Sequence, residues 1–281
     1  MKPVVTIAVW QTLLDESLGF VDEVKRGRVA CVQEAAMRSA NVCLDCDTAL
    51  AALDFAADRF EAAYLSGAPI ENSERARLIG EAVGLRLGTD EQRRLAAALG
   101  QTHSPTSLQP RPGARRMLRE LARDNRVVAL SDTWMSPGST LRASLKHHAL
   151  AEFLSGMLFS DETRVYKVTG EAWSLAAQSF GTKVEQIVHV GDLPVVDGAV
   201  ALAVGCAGSI VVRHSDHPVK GPPIECPGAH IVTDSASVPP IVASLRRGES
   251  PFRDSFPDPS PGACQDRPTT PTERSDQNDA P

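Results

Sequence analysis

The sequence predicts an α/β fold: a central parallel sheet flanked by helices, with an all-helical segment inserted after the first strand. Three observations predict it. The chain opens on a continuous apolar run, Pro3 to Val9, of the kind buried on both faces of a parallel sheet. Roughly ninety residues without a strand signal follow. From Pro110 onward, short apolar runs alternate with helical patterns, as parallel strands joined by crossover helices require.

Taken in order, the inserted segment reads as helices from Glu16. Leu50, Leu53, Ala57, Phe60 and Tyr64 recur at three and four residue spacing and form one apolar stripe. Leu78, Ile79, Ala82 and Val83 repeat the pattern. Thr89 with Gln92 reads as a capping box opening a helix that ends near Gly100. Beyond Pro110, ARRMLRELARD is an amphipathic helix and Arg126 to Ser131 a buried strand. A helix from Leu141 to His148 leads to a strand at Gly156 to Ser160. The next helix places Trp173, Ala176, Ala177 and Phe180 on one face. Ile187 to Val190 is a strand, Pro194 suits the first turn of a helix, and Ser209 to Arg213 is another strand.

The organisation follows: an α/β core over 1–15 and 106–247, a helical cap over 16–105, and a tail over 248–281. The tail is rich in Pro, Ser, Asp and Thr and has no periodicity, so it is expected to be disordered. Contact with a partner protein through PFRDSFPDP is one role open to it.

Composition narrows the function classes. The formal charge of -6 and the lack of a Lys/Arg cluster interleaved with aromatics argue against a nucleic-acid surface. No apolar run approaches the roughly 20 residues that span a membrane. Met-Lys-Pro leads straight into the first strand without a signal-peptide region. Six scattered cysteines argue for a reducing cytoplasm rather than a disulfide scaffold. Cys43 and Cys46 form the one close pair; with no second CxxC, they read as helix-packing residues beside a turn rather than half of a zinc or redox site. His214 and His217 have possible metal spacing but read as a solvated loop. The sequence specifies no oligomeric state.

In a parallel α/β sheet the ligand site lies at the carboxyl ends of the strands. The residues there are Ala8 to Thr12 after the first strand and Ser131-Asp132-Thr133 after the second. SDETRVYK, ending in Lys167, follows the third, and Gly191-Asp192 with Asp197 follows the fourth.

In this order, with a helical block in the first gap, the pattern resembles the haloacid dehalogenase (HAD) superfamily of phosphatases, dehalogenases and phosphotransferases, over about residues 3 to 246. HVGDLPVVDGA matches the family's Gly-Asp-four-residues-Asp motif in full. VVALSD supplies the expected Ser at a strand end. Lys167 fits the third motif, although Val168 stands where Pro often follows. The resemblance implies a Rossmannoid core with an inserted cap. It also implies that Thr12, Ser131, Asp132 and Lys167 bind a ligand or phosphate, and that Asp192, supported by Asp197, binds magnesium.

The first motif departs from the family. An apolar strand should be followed by Asp-x-Asp-x-Thr-Leu; here those places hold Ala8, Val9, Trp10, Gln11, Thr12 and Leu13. In the family the first Asp is the nucleophile and a magnesium ligand, and the second is the general acid and base. A methyl group cannot attack phosphorus or carbon, and an indole N–H does not titrate. Relatives of the dehalogenase branch carry an aromatic residue at the second position, so Ala8 is the weightier change. The magnesium site implied is therefore weakened. Asp132, at a strand end, is within reach of a relocated role; Asp15, past the tip at the hinge into the cap, is the lesser candidate.

Three readings follow. The first is a HAD-like protein that binds a small phosphorylated or carboxylated ligand between core and cap without the aspartyl route, with non-hydrolytic chemistry open to it. The second is an active phosphatase or dehalogenase-like hydrolase whose nucleophilic Asp is replaced by Ala8 in this chain. The third is a non-catalytic scaffold acting through its cap or tail.

Overall fold

The computed structural model describes residues 2–16, 18–214 and 226–249. His217 and nearly all of the expected tail lie outside the described residues.

Strand β1 (Val4–Ile7) is fully buried and lies at the centre of a six-stranded parallel sheet. Its own residues explain the position, since a β-branched, apolar run has no solvated face to offer. After the tip of β1 the chain makes β2 (Leu14–Asp15) and enters four helices: α1 (Val21–Ala40), α2 (Cys46–Leu65), α3 (Asn72–Ala82) and α4 (Thr89–Gly100). It leaves through β3 (Gln109–Pro110), antiparallel to β2, so the chain passes into and out of the helical cap as one two-stranded ribbon.

The core then alternates: α5 (Ala114–Asp124), β4 (Arg126–Ser131), α6 (Gly138–His147), β5 (Gly156–Phe159), α7 (Ser160–Thr163), α8 (Glu171–Ser179) and β6 (Ile187–Gly191). A π-helical segment, Pro194–Val200, runs into α9 (Ala201–Ala203); β7 (Gly208–Val212), β8 (His230–Val232) and α10 (Val238–Arg246) complete it. The strand order is β5-β4-β1-β6-β7-β8. Ile7 lies opposite Ala129 on one side and Val190 on the other. The tips of β1, β4 and β6 therefore end side by side.

Each sheet face has its own apolar layer. Val5, Ile7, Val127 and Ala129 pack with Met117, Leu118 and Leu121 of α5 and Val238 and Val242 of α10. On the other face Val4, Val128 and Leu130 meet Trp173, Ala176 and Ala177 of α8, together with Phe60 and Tyr64 from the cap. The cap keeps a separate core of Val32, Leu53, Ile79, Leu95 and Leu99. No helix among the described residues is long and apolar enough to cross a membrane.

Several local expectations are corrected. The buried face of α3 is Arg75, Ala76, Ile79 and Gly80, with Ala82 exposed. The helix at Thr89 is capped by Gly88, and the Gln92 amide donates to the Leu87 carbonyl at 2.8 Å rather than closing a capping box. Cys43 and Cys46 are both exposed, so they do not pack helices together. The edge strand β8 and the β2–β3 ribbon add to the strands read from sequence.

Candidate functional site

The site is built at the tip of β1. The Ala8 N–H donates to the Val190 carbonyl at 2.8 Å, which extends the ladder one residue past the strand. Gln11 then adopts a left-handed backbone (φ 56°), and the N–H groups of Leu13 and Leu14 return to the Val9 carbonyl at 2.9 and 3.0 Å. This tight reversal places Ala8 and Trp10 at the floor of a cavity of about 340 Å³ between sheet and cap. Ser131, Asp132, Lys167 and Asp192 line it from the core; Ala57, Tyr64 and Arg75 line it from the cap. Thr12 and Asp197 are fully buried behind this wall.

The core side is a compact charge network. Lys167 Nζ pairs with Asp197 Oδ1 at 2.5 Å, with Asp197 fully buried and Lys167 nearly so. Asp197 also accepts from His189 Nε2 at 2.9 Å and from the N–H groups of Asp192 and Leu193 at 3.0 and 2.9 Å. Gly191 permits that approach, since a Cβ there would lie 2.2 Å from the Asp197 carboxyl carbon. Burial works against the ionised Asp197, but Lys167 and His189 outweigh it and hold its pKa below the usual carboxylate range. Burial likewise opposes the Lys167 charge, and Asp197 and Asp132 overcome it and raise that pKa. His189 is held neutral chiefly by burial; its Nδ1 takes the Thr6 hydroxyl hydrogen bond at 2.8 Å.

Asp192 has fewer partners. Thr12 Oγ1 donates to it at 3.4 Å, and burial together with the Asp197 charge pushes its pKa up to about 7. Asp132 accepts the Tyr64 hydroxyl, in a short contact, and the Lys167 N–H at 3.1 Å. Burial raises the Asp132 pKa despite the counteracting Lys167. Asp15 lies away from the cavity on β2, fully buried, paired with Arg111 at 2.5 Å and accepting the Gln11 amide at 3.0 Å. It holds the ribbon into the cap.

The cap contributes groups that the sequence reading did not single out for the site. Tyr64 lies in a stripe read as core, yet its hydroxyl reaches Asp132. Arg75 is 1% exposed and stacks over the Phe60 ring at 3.8 Å. Glu16 holds Arg28 at 3.5 Å and His103 at 2.6 Å, and His103 meets the edge of the Trp10 indole at 5.6 Å. The only advance signal was chemical type, a charge or hydroxyl on a helix otherwise read as packing.

These residues do not fit an ordinary magnesium site. Ala8 offers no oxygen from its side chain, the Asp197 oxygens are occupied by Lys167, His189 and two amides, Asp132 is engaged by Tyr64 and the Lys167 N–H, and Asp192 is the carboxylate with the fewest partners. No cluster of three His, Cys, Asp or Glu suited to a metal occurs among the described residues, Cys43 and Cys46 included.

Comparison with known proteins agrees with this architecture. The sequence model of haloacid dehalogenase-like hydrolases matches residues 12–205, beginning just past Ala8 and Trp10. Among solved structures, the magnesium-bound HAD-hydrolase YfnB from Bacillus subtilis superposes with a TM-score of 0.60 at 14% identity, covering 86% of this chain and 98% of that one. A HAD phosphatase from Thermococcus onnurineus gives 0.54 at 16% identity, with 86% and 98% covered. The L-2-haloacid dehalogenase of Xanthobacter autotrophicus, with chloropropionic acid covalently bound, gives 0.52 at 17% identity, with 86% and 99% covered. No curated protein matches the sequence.

Proposed function

Because the chain belongs to the haloacid dehalogenase-like hydrolase family, we propose that it binds a small anionic ligand between core and cap without forming an aspartyl intermediate. The observation that carries this reading is Ala8 at the floor of a cavity whose core wall is Ser131, Lys167, Asp132 and Asp192. A methyl group there has no lone pair for attack on phosphorus or carbon. Trp10 supplies a hydrogen-bond donor and no titrating group.

The neighbouring carboxylates do not take over the attack. Asp132 is engaged by Tyr64 and the Lys167 amide, and Asp15 is sequestered by Arg111. Binding remains within the site's means. A cavity near 340 Å³ suits a small molecule, and it offers Ser131, Trp10 and cationic side chains as donors. Magnesium binding is weak on this reading.

Calorimetric titration of the full chain with inorganic phosphate and with small carboxylates tests the proposal. At least one class should bind, and Ser131→Ala should weaken it on the order of tenfold, the value of one hydrogen bond to a charged group. Failure of every anion to bind, or binding indifferent to Ser131→Ala, Lys167→Ala and Arg75→Met alike, would overturn it.

A further inference from the structure

One cation of the cavity is left without a counterpart. Arg75 projects from α3 and is 1% exposed, and its Nε, Nη1 and Nη2 all lack a hydrogen-bond partner. It lines the same cavity as Ala8 and Lys167. Burial and the charge of Arg28 depress its pKa to about 9. The Phe60 face at 3.8 Å compensates part of the charge, but a ring face satisfies none of the in-plane N–H donors. An unpaired guanidinium in a protein interior is costly, so its retention marks a missing acceptor.

The other cations at the cavity are matched. Lys167 is committed to Asp197, and Arg28 faces Glu16. Trp10 Nε1 is a second buried donor without a partner, also on the lining. The lining also includes the apolar or aromatic side chains of Ala57, Trp134, Met135 and Leu193. Around Lys167 the carboxylates of Asp132, Asp192 and Asp197 disfavour a dianion. A planar monoanion suits Arg75, because the guanidinium fork matches a carboxylate in two parallel hydrogen bonds.

We propose that Arg75 is the receptor for the carboxylate of a small organic acid with an apolar or aromatic body, which rests on the reading that the cavity takes an anion. Trp10 and Trp134 flank that body, and the charge is held from the cap rather than at the Ala8 position.

The test is calorimetry of the full chain at pH 7 with benzoate, 4-methylpentanoate, phenyl phosphate, inorganic phosphate and the neutral benzamide. Benzoate or 4-methylpentanoate should bind and benzamide should not. Arg75→Met should weaken the carboxylate on the order of 10- to 100-fold, and Arg75→Lys by less. Arg75→Met should melt at or above the parent temperature, since it removes an unpaired buried charge, so loss of binding will not reflect unfolding. Carboxylate binding unchanged in Arg75→Met would overturn the proposal. So would phenyl phosphate bound in preference to benzoate, sensitive to Ser131→Ala and indifferent to Arg75→Met; that outcome leaves the anion cavity standing. Binding of none of the anions would overturn both.

Discussion

The hydroxyl of Tyr64, on the second cap helix, donates a short hydrogen bond to Asp132 at the tip of β4. This contact joins cap to core at the cavity wall, beside the packing of Phe60 and Tyr64 on Trp134. Burial and the Asp132 charge raise the Tyr64 pKa, so the phenol stays protonated and donating at all ordinary pH. Tyr64→Phe keeps the ring and removes the donor. It should cost about 1–3 kcal/mol in urea unfolding, because Asp132 loses a charge-assisted partner in a buried place. An unchanged midpoint would mean that the contact does not hold the two layers.

Asp132 also predicts a pH dependence. Burial raises its folded pKa above the ordinary 3.8. A raised carboxyl contributes stability that is fully present below the unfolded value and is lost as pH rises through the folded one. The stability of the parent minus that of Asp132→Asn should therefore fall as pH is raised from about 4 toward neutrality, with other groups cancelling in the subtraction. A difference that grows with pH would reverse the assigned cause.

The Lys167–Asp197 pair gives a test of the network behind the cavity wall. Lys167→Met leaves Asp197 ionised and fully buried without its cation, and should cost about 3–5 kcal/mol. Adding Asp197→Asn to that variant should recover a large part of the loss, since the two residues share one interaction. Additive losses from the two changes would show that Asp197 is held by His189 and the amides alone.

Parent protein and Ala8→Asp should respond differently to magnesium. Magnesium should leave the melting temperature of the parent unchanged, because, of the cavity's carboxylates, Asp132 and Glu16 are engaged by protein donors and only Asp192 is lightly held. In Ala8→Asp a second carboxylate restores a pair, and saturating magnesium should raise the melting temperature by mass action. A parent protein stabilised by magnesium would contradict the poor fit of its residues to the ion.

Much of this was legible in the sequence, for identifiable reasons. Strand β4, Arg126–Ser131, was readable end to end because a parallel strand buried on both faces is apolar throughout. Ser131, Lys167 and Asp192 were readable as neighbours because each follows a strand end of one parallel sheet, and all three line the cavity. Strand β8 was not, because His230–Val232 is three residues long at a sheet edge and its central Ile231 is exposed. The β2–β3 ribbon has two residues a side and exists only through its partner. Arg75 and Tyr64 were missed for another reason. Cap side chains reach the cavity by packing across the interface, a relation no local spacing encodes; Arg75 lies one turn before Ile79 on the buried face of α3, where its charge disguised it.

The central claim is that the tip of β1 presents no nucleophile, and steady-state turnover tests it most directly. Parent protein and Ala8→Asp should be assayed side by side with p-nitrophenyl phosphate and 2-chloropropionate, with and without magnesium. The parent should release no product above the uncatalysed rate; in a serine protease, loss of the nucleophile costs on the order of a millionfold. Turnover by the parent, abolished by Lys167→Ala or Asp132→Asn, would contradict the account and locate the chemistry in a carboxylate other than the one Ala8 replaces.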